Sequence, residues 1–586
     1  MSRALSTLLA LAIAAQPAVA LAAVKNPDTF TFLTIGDVDS LDPAWSYDTA
    51  SHNIIANVYE TLFDYKAGSL TELEPMLATK VPTKANGLIS PDNLTYTFPI
   101  RKGVKFHDGT PMTPEDVKYT FMRFMLYDRA GGPSSLLLDP ILAVNTTRDD
   151  KGAAIPDMFK RVDKAIRVSG DKVVVKLEKP YAPFLSILAS FGAIVSKSWT
   201  AKNGGWDGTE ATWTRHNNPE KESSYLMEHM NGTGPFSLER WDKKNAEVVL
   251  ARNDGYWRKP ARLKKVVIRR VAEFATRKLM LQAGDADASY NPQMMFSQME
   301  GVPGVQLIDR LKVLEAPTLL SFTFNLNPTA NPNIGSGKLD GQGIPTDFFT
   351  DKDVRKAIAY AFDYQAYYKD ILRGKGMPAT GIIPEGMLGF NPNGKAYTLD
   401  LAKSKEHFKK AWGGKVWENG FQFSVMFNDN QPGIAAVANI LKKNVEEMNP
   451  KFKIDVRTVQ WSTFLEQTQN KKIPLFFGAW AADYPDPHNM IFPLLHSDGY
   501  IPSKQGYKNP ELDKLIEQAV RTIDPAARAK LYRRIQDIAY EELPQILVAI
   551  GYRYRTQRTW VKGWVFRPVF PQSPYGSYYY DLHKEE

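Results

Sequence analysis

Residues 421–480 read FQFSVMFNDNQPGIAAVANILKKNVEEMNPKFKIDVRTVQWSTFLEQTQNKKIPLFFGAW and switch repeatedly between strand-like and helix-like patterns. Three short apolar or alternating runs are separated by two longer segments whose apolar residues have helical spacing. In chain order these segments are Phe421–Phe427, Ile434–Met448, Phe452–Val459, Trp461–Gln469 and Ile473–Ala479. Strands that alternate with helices pair in parallel through crossover connections. The stretch therefore predicts an α/β fold built on a parallel sheet.

The loop after the third of these strands is the first candidate for a binding site. It reads Trp480-Ala481-Ala482-Asp483-Tyr484-Pro485-Asp486-Pro487. Ligands of open α/β sheets bind outside the carboxyl ends of the strands, which is where this loop begins. Asp483 is either an anchor for a cationic ligand group or a cap for local backbone. Trp480 either forms the wall of a pocket or closes the core, and the orientation of Asp486 stays open.

The amino terminus has the pattern of a secretory signal peptide. A positive start with Arg3 is followed by the apolar run Ala4–Ala15 and by the small-x-small site Ala20–Ala22. We expect cleavage after Ala22; the alternative is an uncleaved anchor, against which Pro17 and the cleavage site argue. No later segment reaches the roughly 18 uncharged apolar residues that a spanning helix needs. We therefore expect an exported, periplasmic protein.

The composition excludes several classes of protein. The chain has 586 residues and no cysteine, which rules out disulfides, thiolate metal sites, cysteine nucleophiles and the lipid-modified cysteine of tethered receptors. The net charge is +9. A basic charge is compatible with nucleic acid, but these charges are scattered along the chain, which favours a role in solubility. We therefore expect no nucleic-acid partner.

The sequence contains no complete catalytic motif. The metalloprotease, nucleophile-elbow and phosphate-loop patterns are absent, and Gly335-Ser336-Gly337-Lys338 lacks the Ser or Thr that must follow. No two histidines stand at i, i+4; His488 and His496 flank the loop after the third strand, but isolated histidines at turns are usually structural. We predict no catalytic residue, no metal and no cofactor.

The rest of the chain predicts an ordinary mixture of strands, helices and loops. Thr113 followed by Pro114 is the start of a helix, since Thr is a good N-cap and Pro suits the first turn. The polar segment Trp199–Tyr225 predicts an irregular surface excursion, and Asn327–Pro345, rich in Gly, Pro and Asn, predicts a long loop. Strands are predicted at Thr29–Ile35, Leu94–Ile100, Val173–Leu177 and Leu319–Leu326.

Five groups of residues, taken together, resemble a known family. They are Asp39–Pro43 with Val58–Phe63, Leu94–Pro111 with Glu115–Val117, Gly232–Phe236, Leu281–Asp287, and Asp353–Ile358. Their types and order are similar to those of the extracytoplasmic solute-binding proteins of ABC importers, specifically the peptide/nickel-binding family 5, which includes oligopeptide- and dipeptide-binding proteins. The resemblance runs from about Phe30 to about Gly563.

The resemblance implies a two-lobed periplasmic-binding-protein clamshell of the α/β class with an additional third domain. Lobe I is expected from three parts of the chain, because the family's first lobe is discontinuous. The implied division is signal peptide 1–22, lobe I 23–65, extra domain 66–181, lobe I again 182–318, lobe II 319–544 and a final part of lobe I 545–586. A ligand would be enclosed between the two lobes.

The resemblance also implies a set of ligand-binding residues. In the family's oligopeptide binders an aspartate after a Trp-x-x pattern pairs with the α-ammonium of the peptide, and this role falls on Asp483, with Trp480, Ala481 and Tyr484 beside it. Val38, Asp39 and Ser40 lie where the family's first strand meets ligand through backbone groups. No counterpart is found for a group that would hold a peptide carboxylate, and the 327–345 loop looks like an insertion.

The function that follows is binding of a short peptide and its delivery to an ABC permease in the inner membrane, by a protein that we expect to be a monomer. The alternatives are a glycoside or oligosaccharide, an opine or a nickel chelate in the same transport role. A secreted hydrolase is a rival from another class, disfavoured by the missing catalytic groups. A weak chaperone-like role in the periplasm is a third possibility.

Overall fold

The computed structural model describes residues 24–429, 432–567 and 577–585, with the side chains of 222, 432, 461 and 462 left out. The signal peptide predicted at 1–22 and its cleavage after Ala22 lie outside the described residues. Within the described ranges, no helix is both long enough and apolar enough to cross a membrane.

The described chain contains both strands and helices from its start to its end. The strands are β1 Thr29–Thr34, β2 Phe63–Tyr65, β3 Leu73–Pro75, β4 Thr95–Pro99, β5 Ile166–Ser169, β6 Lys172–Lys176, β7 Phe236–Asp242, β8 Glu247–Arg252, β9 Lys265–Arg270, β10 Ala288–Ser289, β11 Val305–Leu311, β12 Leu319–Phe322, β13 Gly376–Pro378, β14 Phe421–Asn428, β15 Phe452–Val459, β16 Leu475–Gly478, β17 Gln545–Leu547, β18 Ala549–Gly551, β19 Arg553–Arg558, β20 Val561–Lys562 and β21 His583–Lys584. The helices are α1 Thr49–Val58, α2 Pro114–Tyr127, α3 Ser135–Leu142, α4 Met158–Ala165, α5 Phe184–Phe191, α6 Lys197–Lys202, α7 Phe274–Ala283, α8 Phe296–Met299, α9 Lys352–Ala361, α10 Tyr364–Ala366, α11 Leu401–Lys410, α12 Lys415–Asn419, α13 Pro432–Met448, α14 Trp461–Gln469, α15 His488–Leu495, α16 Tyr500–Gln505, α17 Pro510–Arg521 and α18 Pro525–Glu542.

The parallel arrangement predicted for 421–480 is confirmed. Strand β14 lies between β15 and β16 and pairs in parallel with both, while α13 and α14 form the connections. The sheet is completed by β12, which is antiparallel to both of its neighbours β16 and β17, in the order β15-β14-β16-β12-β17. Phe421, Phe423, Val425 and Phe427 on one face of β14 are buried, and so are Ser424 and Met426 on the other, so both faces of this strand are covered. The carboxyl end of β16 leads directly into the loop that contains Asp483.

A second, seven-stranded sheet collects strands from distant parts of the chain. Its order is β11-β19-β10-β1-β9-β8-β7, so the first strand of the described chain lies beside strands from the middle, and β19 near the carboxyl end lies between β10 and β11. Phe30 and Leu33 on β1 are fully buried. Helix α1 packs against β7. This sheet therefore holds the segment just before α1 opposite the five-stranded sheet.

A smaller three-stranded sheet, β4-β6-β5, packs with α2 and α4. The predicted start of α2 is confirmed: Thr113 is the N-cap and Asp116 closes a capping box, its carboxylate accepting from the backbone N–H of Thr113 at 2.8 Å. Arg123 on α2 donates two hydrogen bonds, of 2.7 and 2.6 Å, to the buried carboxylate of Asp42. This bidentate pair fixes the chain just after the 38–40 segment against α2.

The segment Trp199–Tyr225 differs from its prediction as an irregular surface excursion. It forms the end of α6 and short turns of 3-10 helix, and Trp206 and Trp213 are buried in the largest hydrophobic core. Trp206 stacks on Tyr119 with ring centroids 5.4 Å apart, and its Nε1 donates to the carbonyl of Thr209. The segment is predicted to lie on the surface because most of its residues are polar. That prediction is wrong at the two tryptophans. The 327–345 segment is a loop as predicted, apart from one turn of 3-10 helix at Pro332–Ile334.

Candidate ligand-binding site

A cavity of about 600 Å³ lies where three regions of the chain meet. One wall comes from residues 47–49 before and at the start of α1, and a second comes from the 131–145 region around α3 together with Tyr181. The third comes from the 479–493 segment, which includes the loop after β16 and most of α15, together with Tyr500. A cavity of this volume can enclose a ligand of a few amino-acid residues.

Asp483 lies in this cavity with its carboxylate almost fully buried, at 6% exposure. Its Oδ2 accepts hydrogen bonds from the phenol of Tyr47 at 2.8 Å and from Nδ2 of Asn489 at 2.9 Å. Within the described residues it forms no ion pair. Burial raises the pKa of Asp483 to about 6, against which the bonds from Asn489 and Tyr47 act only in part. The site therefore holds a carboxylate without a counter-charge.

Asn489, on the first turn of α15, sets the geometry of the loop. Its Oδ1 accepts from the backbone N–H of Asp483 at 2.8 Å and from Nε1 of Trp480 at 3.3 Å, while its Nδ2 holds the Asp483 carboxylate. One amide side chain thus fixes both the backbone and the side chain of Asp483. Sequence reasoning missed Asn489, although a polar residue at the start of the next helix is a position from which it can reach back to a loop.

Asp486 has a different partner from Asp483. Arg528 on α18 donates to both of its carboxylate oxygens at 2.6 Å, and both side chains are buried. The bidentate pair fixes the carboxyl end of the loop against α18. Asp486 is therefore already neutralised within the protein.

The neighbours of Asp483 in the sequence occupy distinct places. Trp480 lines the cavity and packs against the ring of Tyr500, with centroids 5.6 Å apart. Ala481 also lines the cavity and makes an isolated bridge with Glu315. Tyr484 lines it as well, but only 2% of its surface is exposed. Four residues named from the sequence, Trp480, Ala481, Asp483 and Tyr484, thus meet in one cavity.

The 38–40 segment lies elsewhere. Val38 and Asp39 line a separate cavity of about 320 Å³, where the carboxylate of Asp39 pairs with Lys221. The backbone N–H groups of Asp39 and Ser40 both donate to Oγ of Ser51, and Ser40 is fully buried. The structure does not bring this segment into the cavity of Asp483, and its contact with ligand stays a prediction.

The two histidines near the loop are buried, and Nε2 of His496 lies 3.9 Å from a carboxylate oxygen of Asp513 and of Glu517. His488 lines the cavity at 5% exposure, and burial lowers its pKa to about 3, so the imidazole is neutral. His496 stacks on Phe492. Among the residues that the structure describes, no group of three or more histidine, aspartate or glutamate side chains is arranged to hold a metal ion.

The fold and the cavity define a binding protein whose two sheet-based lobes enclose a small ligand. The family described as "Bacterial extracellular solute-binding proteins, family 5 Middle" matches residues 72–501, and the chain belongs to this family. The protein is a solute-binding component of an ABC importer, not an enzyme. Its fold is the multidomain clamshell of this family.

Individual relatives cover almost the whole chain. The probable D,D-dipeptide-binding periplasmic protein DdpA of Escherichia coli K12 is 28% identical, over 97% of this chain and 96% of its own. Heme-binding protein A of Haemophilus influenzae is 26% identical, over 94% of this chain and 91% of its own. Among solved structures, the periplasmic binding protein DppA of Helicobacter pylori, in complex with the peptide STSA, is 24% identical, with a TM-score of 0.71 over 95% of this chain and 98% of its own.

Proposed function

We propose that this protein is a receptor for short peptides and that Asp483 binds the α-ammonium of the peptide. The observation that carries the proposal is the buried carboxylate of Asp483, which lines a cavity of about 600 Å³ and has no cationic partner in the described part of the chain. A peptide N-terminus is a compact cation of the size that such a site accepts. The relative at 28% identity that is named as a probable D,D-dipeptide-binding protein supports a peptide ligand.

The energetics favour an ammonium over a neutral ligand group. A buried carboxylate is costly without a counter-charge, and the phenol of Tyr47 and the amide of Asn489 compensate it only partly. An ammonium that enters the cavity supplies both the charge and up to three donors. Asp486 cannot take this role because Arg528 already occupies both of its oxygens.

The setting of this function is part of the same proposal. The chain is exported, its signal peptide is cleaved after Ala22, and the mature protein acts in the periplasm as a monomer without a lipid anchor or a nucleic-acid partner. When the two lobes have closed over the peptide, the complex docks on the permease in the inner membrane. Hinge segments between the lobes absorb the rotation that opens and closes the cavity.

Isothermal titration with di- to pentapeptides of alanine, each with a free and an N-acetylated amino terminus, tests the proposal. We expect the free peptides to bind at least about tenfold more tightly, because acetylation removes the charge that Asp483 pairs with. The exposed Asp498, changed to Asn, is the matched control and should leave the difference intact, whereas Asp483→Asn should abolish it. Equal affinities of the free and acetylated peptides for the unmodified protein would overturn the role of Asp483. Failure of every peptide to bind, with a stabilising oligosaccharide found in a thermal-shift screen, would overturn the peptide ligand itself.

A further inference from the structure

A second acidic side chain lines the same cavity from helix α3. The carboxylate of Asp139 accepts a hydrogen bond of 2.9 Å from the phenol of Tyr181, which also lines the cavity. Within the described residues Asp139 forms no ion pair; Arg521 and Lys179 act on it only from longer range, and burial raises its pKa. Asp139 thus resembles Asp483, since each carboxylate is held by a tyrosine hydroxyl and neither is neutralised by an adjacent cation.

The cavity wall as a whole is acidic. Its described lining includes Asp48, Asp139 and Asp483 and no lysine or arginine. Two cations near the wall, Arg528 and Lys504, are engaged with other groups. Arg528 pairs with Asp486, and the ammonium of Lys504 lies 3.3 Å from the centre of the Tyr500 ring. A cavity with this lining attracts positive charge, although the chain as a whole carries +9.

His488 is an independent sign of a ligand beside Asp139. It lines the cavity, only 5% of its surface is exposed, and its buried Nδ1 has no hydrogen-bond partner among the residues that the structure describes. The imidazole lies edge-on to the ring of Tyr181, with centroids 5.9 Å apart, so it adjoins the tyrosine that holds Asp139. Buried polar groups are nearly always bonded, and an unpartnered one in a cavity wall marks a place where a ligand group or water completes the site.

We propose that Asp139, with Tyr181 and His488, forms a second cation subsite, so that the preferred ligand is a peptide with a basic side chain. The proposal rests on the proposed function, in which Asp483 holds the α-ammonium. The two carboxylates have different hydrogen-bond partners, Tyr47 and Asn489 for Asp483 and Tyr181 for Asp139, so they form separate anionic positions in one cavity. A peptide with a neutral side chain at this position leaves the half-buried carboxylate of Asp139 without a counter-charge, which is unfavourable.

Titration of three peptide pairs tests the inference. The pairs are Lys-Ala-Ala, Ala-Lys-Ala and Ala-Ala-Lys, each against the same peptide with an Nε-acetyl-lysine, so that the α-amino group stays free in all six. For at least one pair we expect acetylation of the side chain to weaken binding at least about tenfold. Asp139→Asn should remove this difference, and Tyr181→Phe should reduce it. Asp150→Asn, which removes an exposed charge from the same region, is the control and should preserve it.

The possible results separate the two proposals. A difference of less than about threefold for all three pairs, with the peptides still bound, would overturn the second subsite and leave the peptide receptor standing. The same holds if Asp139→Asn binds the peptides and keeps the full difference. Absence of binding by all six peptides would overturn the peptide receptor and, with it, this inference. Circular dichroism and the thermal midpoint of each variant establish that it is folded. If Asp139→Asn fails to fold, Asp139→Glu replaces it, because the longer side chain moves the carboxylate. The ratio of affinities for the free-lysine and acetyl-lysine peptides should then change in the pair that shows the effect.

Discussion

The phenol of Tyr47 donates a 2.8 Å hydrogen bond to the carboxylate of Asp483, although the two residues are 436 positions apart in the chain. Tyr47 precedes α1 on the side of the seven-stranded sheet, and Asp483 follows β16 of the five-stranded sheet. The bond therefore joins two parts of the cavity lining that come from distant segments of the chain. It gives the buried carboxylate a neutral donor in the place where a ligand ammonium would supply a charged one.

Asp483→Asn should stabilise the ligand-free protein at neutral pH and abolish selectivity for free amino termini. Because the folded-state pKa is raised to about 6 from an ordinary 3.8, the stability contributed by the protonated form is lost as the pH rises through that range. At pH 7 the ionised carboxylate thus costs about 2–3 kcal/mol, which the amide avoids. Thermal denaturation at pH 7 measures this as a higher midpoint. A lower midpoint, with Asp498→Asn unchanged, would contradict the assignment of Asp483 as an uncompensated charge.

Affinity for alanine tripeptide should fall as the pH drops from 7 to 5. The α-ammonium of the peptide stays charged over this range, while Asp483, whose pKa is about 6, becomes protonated in the empty site. Binding then requires loss of that proton, so the dissociation constant should rise about tenfold between pH 7 and pH 5. The neutral imidazole of His488, with a pKa of about 3, does not titrate in this interval. Titrations at several pH values should show a flat profile for Asp483→Asn and a retained slope for Asp139→Asn.

Asp486→Asn should destabilise the protein without changing its preference for free amino termini. The substitution leaves the buried guanidinium of Arg528 without a negative charge and with only one of the two oxygens that it now contacts, and loss of the charged partner of a buried pair costs about 3–5 kcal/mol. Denaturation should show the loss. The double variant Asp486→Leu with Arg528→Met is the matched control, since replacing both charges restores most of the stability. If Asp486→Asn is as stable as the unmodified protein but loses the acetylation effect, then Asp486 rather than Asp483 contacts the ligand.

The sequence predicts the site on one side of the cavity and not on the other. Periodicity and the strand–helix alternation of 421–480 locate the end of β16, and this is enough to select the loop with Asp483, because the elements involved are local. Tyr47, by contrast, is placed at the cavity because β1 pairs with strands from distant parts of the chain. No pattern in the sequence around Tyr47 predicts this position. The sequence does not predict the pairing of Asp486 with Arg528 either, because Arg528 lies in the first turn of α18, 42 positions further along the chain.

The net charge of the chain differs in sign from the charge of the cavity lining, which only the structure shows. Counting residues gives a net +9, scattered along the chain, which indicates solubility and does not identify the charge of a ligand. The cavity lining has the opposite sign, with Asp48, Asp139 and Asp483 and no lysine or arginine among its described residues. The net charge comes mainly from side chains on the outer surface, where most charged residues lie. The charge that a bound ligand experiences is set mainly by the few groups that line the cavity.

Glu60 provides a prediction away from the cavity. Its carboxylate is buried and accepts hydrogen bonds from Thr233 at 2.7 Å, Tyr256 at 2.6 Å and Trp257 at 2.8 Å. Burial nevertheless raises its pKa to about 7 from an ordinary 4.5, because none of these donors carries a full charge. A raised folded-state pKa contributes stability that is present below pH 4.5 and is lost as the pH rises through 7.

Glu60→Gln should therefore flatten the pH dependence of stability. In the unmodified protein, up to about 3 kcal/mol of stabilisation from this group should disappear between pH 5 and pH 8, and the neutral amide should lose none of it. Urea denaturation at pH 5 and pH 8 measures the change in the free energy of unfolding for the unmodified protein and for Glu60→Gln. The exposed Glu300, changed to Gln, controls for the loss of a titrating side chain and should leave the slope unchanged. Equal slopes for the unmodified protein and Glu60→Gln would show that the three donors compensate the buried carboxylate fully, contrary to the raised pKa.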